Sequence, residues 1–195
     1  MLMKSAADYL REVYSTVRPN HVVEIGADPP MRLIAQTSEG IQRFSVVDFK
    51  DINDYRGGWF EMHNGMGIAV ERVDGDARFL DEHVREADIV YAHRVLFSGE
   101  EGADIDRLLA YRRGELSLAP VEVDTLISGF HDAEKRALQA SMRVAPRVIW
   151  FTNGDGLGAR AVVSERAWRV EQNSVARMVG EDPEDILKVY DFCKK

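Results

Sequence analysis

Five short apolar runs recur along the chain, at 22–25, 44–48, 68–73, 88–93 and 147–152. Stretches of helical periodicity separate them. Residues 6–17 place Ala6, Leu10, Val13, Tyr14 and Val17 on one stripe, and Pro19 and Asn20 stop that helix. A second helix is expected from Pro30 or Met31 to Gly40, a short one over "ARFLDEHVRE", and a strong one over 133–145 that Pro146 breaks. Strands that alternate with helices build a parallel sheet covered on both faces, and such strands read as continuous apolar runs.

The remaining segments decorate this frame. Residues 49–67 hold several glycines and asparagines beside Trp59 and Phe60, and read as a long loop. The polar region 98–130 reads as a helical insertion, with helices at "DIDRLLAYRR" and "VEVDTLISGF". "NGDG", 153–156, is a tight turn before a helix at 159–166. Residues 168–179 and 187–193 read as antiparallel strands joined by "GEDPED"; a helix after Pro183 is the competing reading. The whole, 1–195, is expected to be a single domain.

Charge narrows the function. Asp and Glu number 33 against 25 Lys and Arg, a net charge of −8, and the cations are scattered. No basic stripe tracks a phosphate backbone, which disfavours nucleic acid as the main partner. A single cysteine, Cys193, excludes a disulfide framework within the chain and argues against a thiolate metal site. The five histidines show no metal-ligand spacing, so no metal is expected. No basic start followed by an apolar run is present, and no run nears the roughly 20 apolar residues of a membrane span. A cytoplasmic protein without membrane attachment is expected.

Parallel sheets bind ligands beyond the carboxyl ends of their strands. That directs attention to Glu24–Pro30, Asp48, Asp74–Asp76, His93–Phe97 and Asn153–Gly156. Asp48 lies about twenty positions after Gly26, where a carboxylate can accept both hydroxyls of a ribose; the alternative is a cap on the following turn. The turn "EIGADPP" is less ordinary. Asp28 repels a pyrophosphate, Pro29 and Pro30 remove two N–H donors, and G-x-G-x-x-G is absent, so a nicotinamide dinucleotide is disfavoured. A cationic ligand without phosphate suits the same turn: Glu24 and Asp28 attract it, and Gly26 admits it closely. Asp28 also suits a helix N-cap.

In order and spacing these places resemble a class I S-adenosylmethionine-dependent methyltransferase. "VVEIGADPP" resembles the first motif, with Glu24 and Gly26 matching and Asp28 and Pro30 standing where glycines are usual. "SVVDF" resembles the second, whose acid is Asp48 here; "VDGDARFL" resembles the third; "ADIVYAHRVLF" resembles the fourth strand and its loop. The resemblance implies a Rossmann-like three-layer α/β sandwich with a mostly parallel seven-stranded sheet and a C-terminal antiparallel hairpin. It implies S-adenosylmethionine as cofactor, held by Glu24, Gly26, Asp28, Asp48, Asp76 and Ala77. Asp76 would face the adenine amino group, or else cap the helix that starts at Ala77. His93 would be the catalytic base, with a structural histidine as the alternative, and His63 and His131 are weaker candidates. A small-molecule or protein substrate is implied. The alternative is a non-catalytic binding module that has lost the cofactor. The edge of the hairpin is open to pairing with a second copy, giving a homodimer.

Overall fold

The computed structural model describes residues 4–25, 40–48, 69–93, 107–108, 110–152, 167–176 and 186–195. The expected helices at 30–40 and 159–166, the 49–67 loop with Trp59, Phe60 and His63, and the "NGDG" turn lie outside them.

Helix α1 (Ala6–Val17) begins at Ser5, whose hydroxyl accepts the Asp8 N–H, and ends at Arg18 in a left-handed conformation. Leu10, Val13 and Tyr14 turn its apolar stripe inward, as the periodicity requires. Strands β1 (His21–Ile25), β2 (Arg43–Asp48), β3 (Ala69–Asp74), β4 (Ile89–His93) and β5 (Arg147–Thr152) pair in parallel, in the order β3-β2-β1-β4-β5. Strands β6 (Trp168–Ala176) and β7 (Ile186–Lys194) form an antiparallel hairpin, and β7 docks against β5. The seven-stranded sheet matches the sequence reading, and the strand at Ile186–Lys194 displaces the alternative of a helix after Pro183.

Two cores sandwich the sheet. On one face α1 packs on Val22, Phe44, Ile89, Tyr91 and Ile149. On the other lie a 3-10 turn (Ala77–Phe79), the short α2 (Leu80–His83) and α3 (Pro120–Val144). The short helix is shorter than "ARFLDEHVRE" suggests, because Val84 is already extended.

Helix α3 corrects the sequence reading. It is one helix of 25 residues, not a helix in an insertion followed by another at 133–145. Pro120 occupies its first turn, and the Glu122 carboxylate accepts the Ala119 N–H at 2.9 Å. His131 therefore stands within a helix rather than at a helix start. Alanines 133, 137 and 140 are fully buried, which lets α3 lie close to the sheet. Trp150 fills the space between, and its indole N–H donates to Glu134 at 2.8 Å. At about 1.5 Å per residue α3 is nearly twice as long as six-residue β5, so its N-terminal turns run on past the strand ends.

Among the described residues no helix is long and apolar enough to cross a membrane, and no group of metal-ligating side chains occurs.

Candidate functional site

The sheet order reverses between β1 and β4: β2 and β3 lie to one side of β1, and β4 and β5 to the other. Such a switch point opens a crevice at the carboxyl ends of the strands. The strand register fixes what borders it. Ile25 pairs with Val47 on one side and Ala92 on the other. Asp48 and His93 each stand one position further along, on the strands flanking β1. Two strand spacings separate them, about 10 Å between backbones. Asp48 in turn pairs with Asp74, two residues before Asp76. The ends of β1 to β4 thus bring Asp48, His93 and Asp76 to one rim. Gly26 and Asp28 lie outside the described residues, and Asp48 and His93 are placed by their backbones alone.

Glu24 sits in β1 between Val46 and Tyr91 and is fully buried. Its charge reaches Tyr14 of α1, whose hydroxyl is held well above its usual range, first by burial and then by the Glu24 carboxylate. No hydrogen-bond partner meets that Tyr14 hydroxyl among the described residues. Tyr91, one residue of alternation from His93, is buried against Phe44 with ring centroids 6.4 Å apart. An acidic side chain is therefore buried under the switch point, on the face that α1 covers. Helical periodicity marked Tyr14 only as a core position; its polar end was legible only in three dimensions.

Asp76 is an N-cap. Its carboxylate accepts the Arg78 N–H at 2.8 Å and is gripped by the Arg78 guanidinium through Nε, at 2.9 and 3.0 Å, and through a terminal nitrogen. The capping alternative is what the geometry shows. Arg78 is the residue the sequence reading missed, and the "DAR" spacing was its only signal. Ala77, buried, opens the 3-10 turn; its N–H is among the first-turn donors that have no acceptor within the turn. A Cβ at the preceding Gly75 would fall 2.7 Å from the exposed His83 ring, which would have to turn away. His83 thus closes the outer side of this turn.

No protein-family model matches the sequence, and no curated protein matches it. Solved structures do match. TrmN from Thermus thermophilus superposes with a TM-score of 0.62 at 13% identity, over 97% of this chain and 48% of its own. The methyltransferase domain of bacterial CtHen1-C gives 0.56 at 11% identity, covering 96% and 95%. N-methyltransferase NodS from Bradyrhizobium japonicum WM9 gives 0.55 at 12%, covering 96% and 92%. The chain has the class I methyltransferase fold. It spans about half the length of TrmN and nearly the full length of the other two. Asp48, Asp76 and His93 lie at the switch-point ends of this methyltransferase-fold sheet, whose two faces are covered by α1 and α3.

Proposed function

We propose that the protein binds S-adenosylmethionine at the switch-point rim and transfers its methyl group to a small-molecule or protein substrate. The observation that carries this reading is a methyltransferase-fold sheet whose strand ends bring the backbones of Asp48 and His93 and the Asp76 turn to one rim, with Glu24 buried in the strand between them. That donor set fits a ligand that is cationic at one end and carries a ribose and an adenine at the other. We assign the ribose hydroxyls to Asp48, the last residue of β2. The adenine edge is assigned to Asp76 and the N–H of Ala77, with Arg78 bonded to the Asp76 carboxylate. The cationic end is assigned to Glu24, Gly26 and Asp28, with Glu24 acting from its buried place in β1 rather than by exposed contact.

When bound, S-adenosylmethionine supplies an electrophilic methyl on a sulfonium. The chain's own contribution is positioning and exclusion of water. His93, the last residue of β4, is assigned the proton that the substrate nucleophile loses. The net charge of −8 and the scattered cations support a substrate other than nucleic acid.

Calorimetric titration with S-adenosylmethionine, its demethylated product and NAD tests the reading. Adenosyl-ligand binding that Asp48→Ala abolishes supports it. Absence of binding to any of the three at millimolar concentration refutes it. That outcome would leave a non-catalytic module, a reading favoured by the engagement of Asp76 in its own helix cap.

A further inference from the structure

Strand β6 is the last strand of the sheet, and no strand lies beyond it among the described residues. Its pairing with β7 runs through nine consecutive positions without a bulge, so its outer edge is straight and long. Natural edge strands of this length are usually interrupted or guarded by charge. Here the charges are Arg169 and Glu171, on one face, with side chains 64% and 53% exposed and 3.3 Å apart. Between them Val170 points to the other face and is 39% exposed.

The direction of the backbone groups along this edge is fixed. The Lys195 N–H donates to the Ala167 carbonyl at 3.0 Å. In an antiparallel ladder the hydrogen-bonded residues alternate, so 169, 171, 173 and 175 turn their N–H and C=O towards β7. Residues 168, 170, 172 and 174 turn theirs outward. A second copy adding antiparallel to this edge by a two-fold axis must pair outward residues with outward ones, so the axis centres on a residue and not between two; an axis at Arg169 or Glu171 sets that residue's charge against its own copy.

Only one centre matches the charges. With the axis at Gln172, Glu171 meets Asn173 and Arg169 meets the buried Val175. With the axis at Ser174, Asn173 meets Val175. With the axis at Val170, Arg169 of each copy meets Glu171 of the other. These two pairs fall at non-hydrogen-bonded positions, where Cα atoms approach to about 4.5 Å and side chains interact best. The same register sets Val170 against Val170 on the opposite face, with both of their outward N–H and C=O groups exchanged. Trp168 then meets Gln172.

We infer that β6 is a self-pairing edge through which two copies of this chain join their sheets, with the two-fold axis at Val170. Arg169 and Glu171 guard the edge against other strands and set the register for their own copy. A five-residue ladder is smaller than a standard interface of about 1,600 Å², so the dimer is concentration-dependent.

Sedimentation of the full chain over a concentration series tests this. The expected result is monomer at low and dimer at high concentration. Arg169→Glu and Glu171→Arg each set like charges across the axis and are expected to weaken self-association at least about tenfold. Mixed one-to-one, the two variants are complementary and should form a heterodimer. Val170→Pro removes only an outward N–H, leaves the ladder with β7 intact and should give a folded monomer. A wild type that stays monomeric to millimolar concentration overturns the inference. So does a dimer that survives both charge reversals, or variants whose mixture fails to associate while the wild type does.

Discussion

Replacing Gly129 with alanine tests the continuity of α3. Gly129 is the tenth of its 25 residues, and its φ is not in the left-handed region. A Cβ built there meets nothing within 4 Å. Neither strain nor crowding therefore opposes a side chain. What remains is the propensity difference between glycine and alanine in a helix interior, about 0.8–1.0 kcal/mol in favour of alanine. For a chain of this size that corresponds to a rise in Tm of about 2–4 °C. Urea unfolding followed by circular dichroism should show a higher midpoint with unchanged slope. Gly129→Pro is the sign control: inside a continuous helix it costs about 3 kcal/mol. If residues 121–130 and 133–145 were instead two helices, Gly129 would stand in the fraying last turn of the first, where alanine brings little gain and proline is far better tolerated. That pair of results would refute the continuous helix and return 120–130 to an insertion.

Other expectations follow from buried polar groups. Asp191 is 1% exposed, accepts from Arg147 at 2.6 and 3.0 Å and from the Tyr9 hydroxyl at 2.8 Å; Asp191→Ala leaves both donors without their acceptor and should cost about 1–3 kcal/mol in urea unfolding. The His21 ring lies between the Glu86 carbonyl at 2.7 Å and Ser45 Oγ at 2.8 Å, and burial lowers its pKa from 6.5. The folded state thus prefers neutral His21, so stability present above pH 6.5 should fall as pH drops below it; His21→Gln should flatten that part of the pH profile. Burial raises the Glu134 pKa, against the opposing pull of the Trp150 hydrogen bond, so its charge opposes folding at neutral pH. Glu134→Gln keeps the acceptor and should be no less stable at pH 7 on thermal unfolding, whereas Glu134→Ala leaves the indole N–H unmet and should cost about 1–3 kcal/mol.

The sheet was legible because buried parallel strands announce themselves as apolar runs. The β5 bounds coincide with the 147–152 run, and β6 and β7 differ from their readings mainly at the ends. His21 was missed as the first residue of β1, since its ring is satisfied by residues 24 and 65 positions away. The unity of α3 was hidden by Gly129 and by polar His131 and Asp132, which look like a break. Only the burial of Leu126 together with Ala133 and Ala137 shows one face carried across them. At the rim, the positions of Asp48, Asp76 and His93 followed from strand ends. The engagement of Asp76 did not, because a cap and a ligand contact ask for the same residue at the same place. Arg78 decides between them for the free chain, through a geometry that spacing alone leaves open.

The position of β7 between β5 and β6 has a consequence for how the chain is made. Strand β6 leaves the ribosome first, yet its partner in the sheet is β7 alone. Until β7 appears, β6 is a nine-residue strand with both edges bare, and β5 lacks its outer neighbour. The Tyr9 hydroxyl likewise waits for Asp191, 182 positions later. The N-terminal helix, the fifth strand and the hairpin are thus completed by one late event. Contacts of such span fold slowly, and nascent chains stalled between β6 and β7 are the form in which this protein is most exposed to aggregation and to chaperone capture.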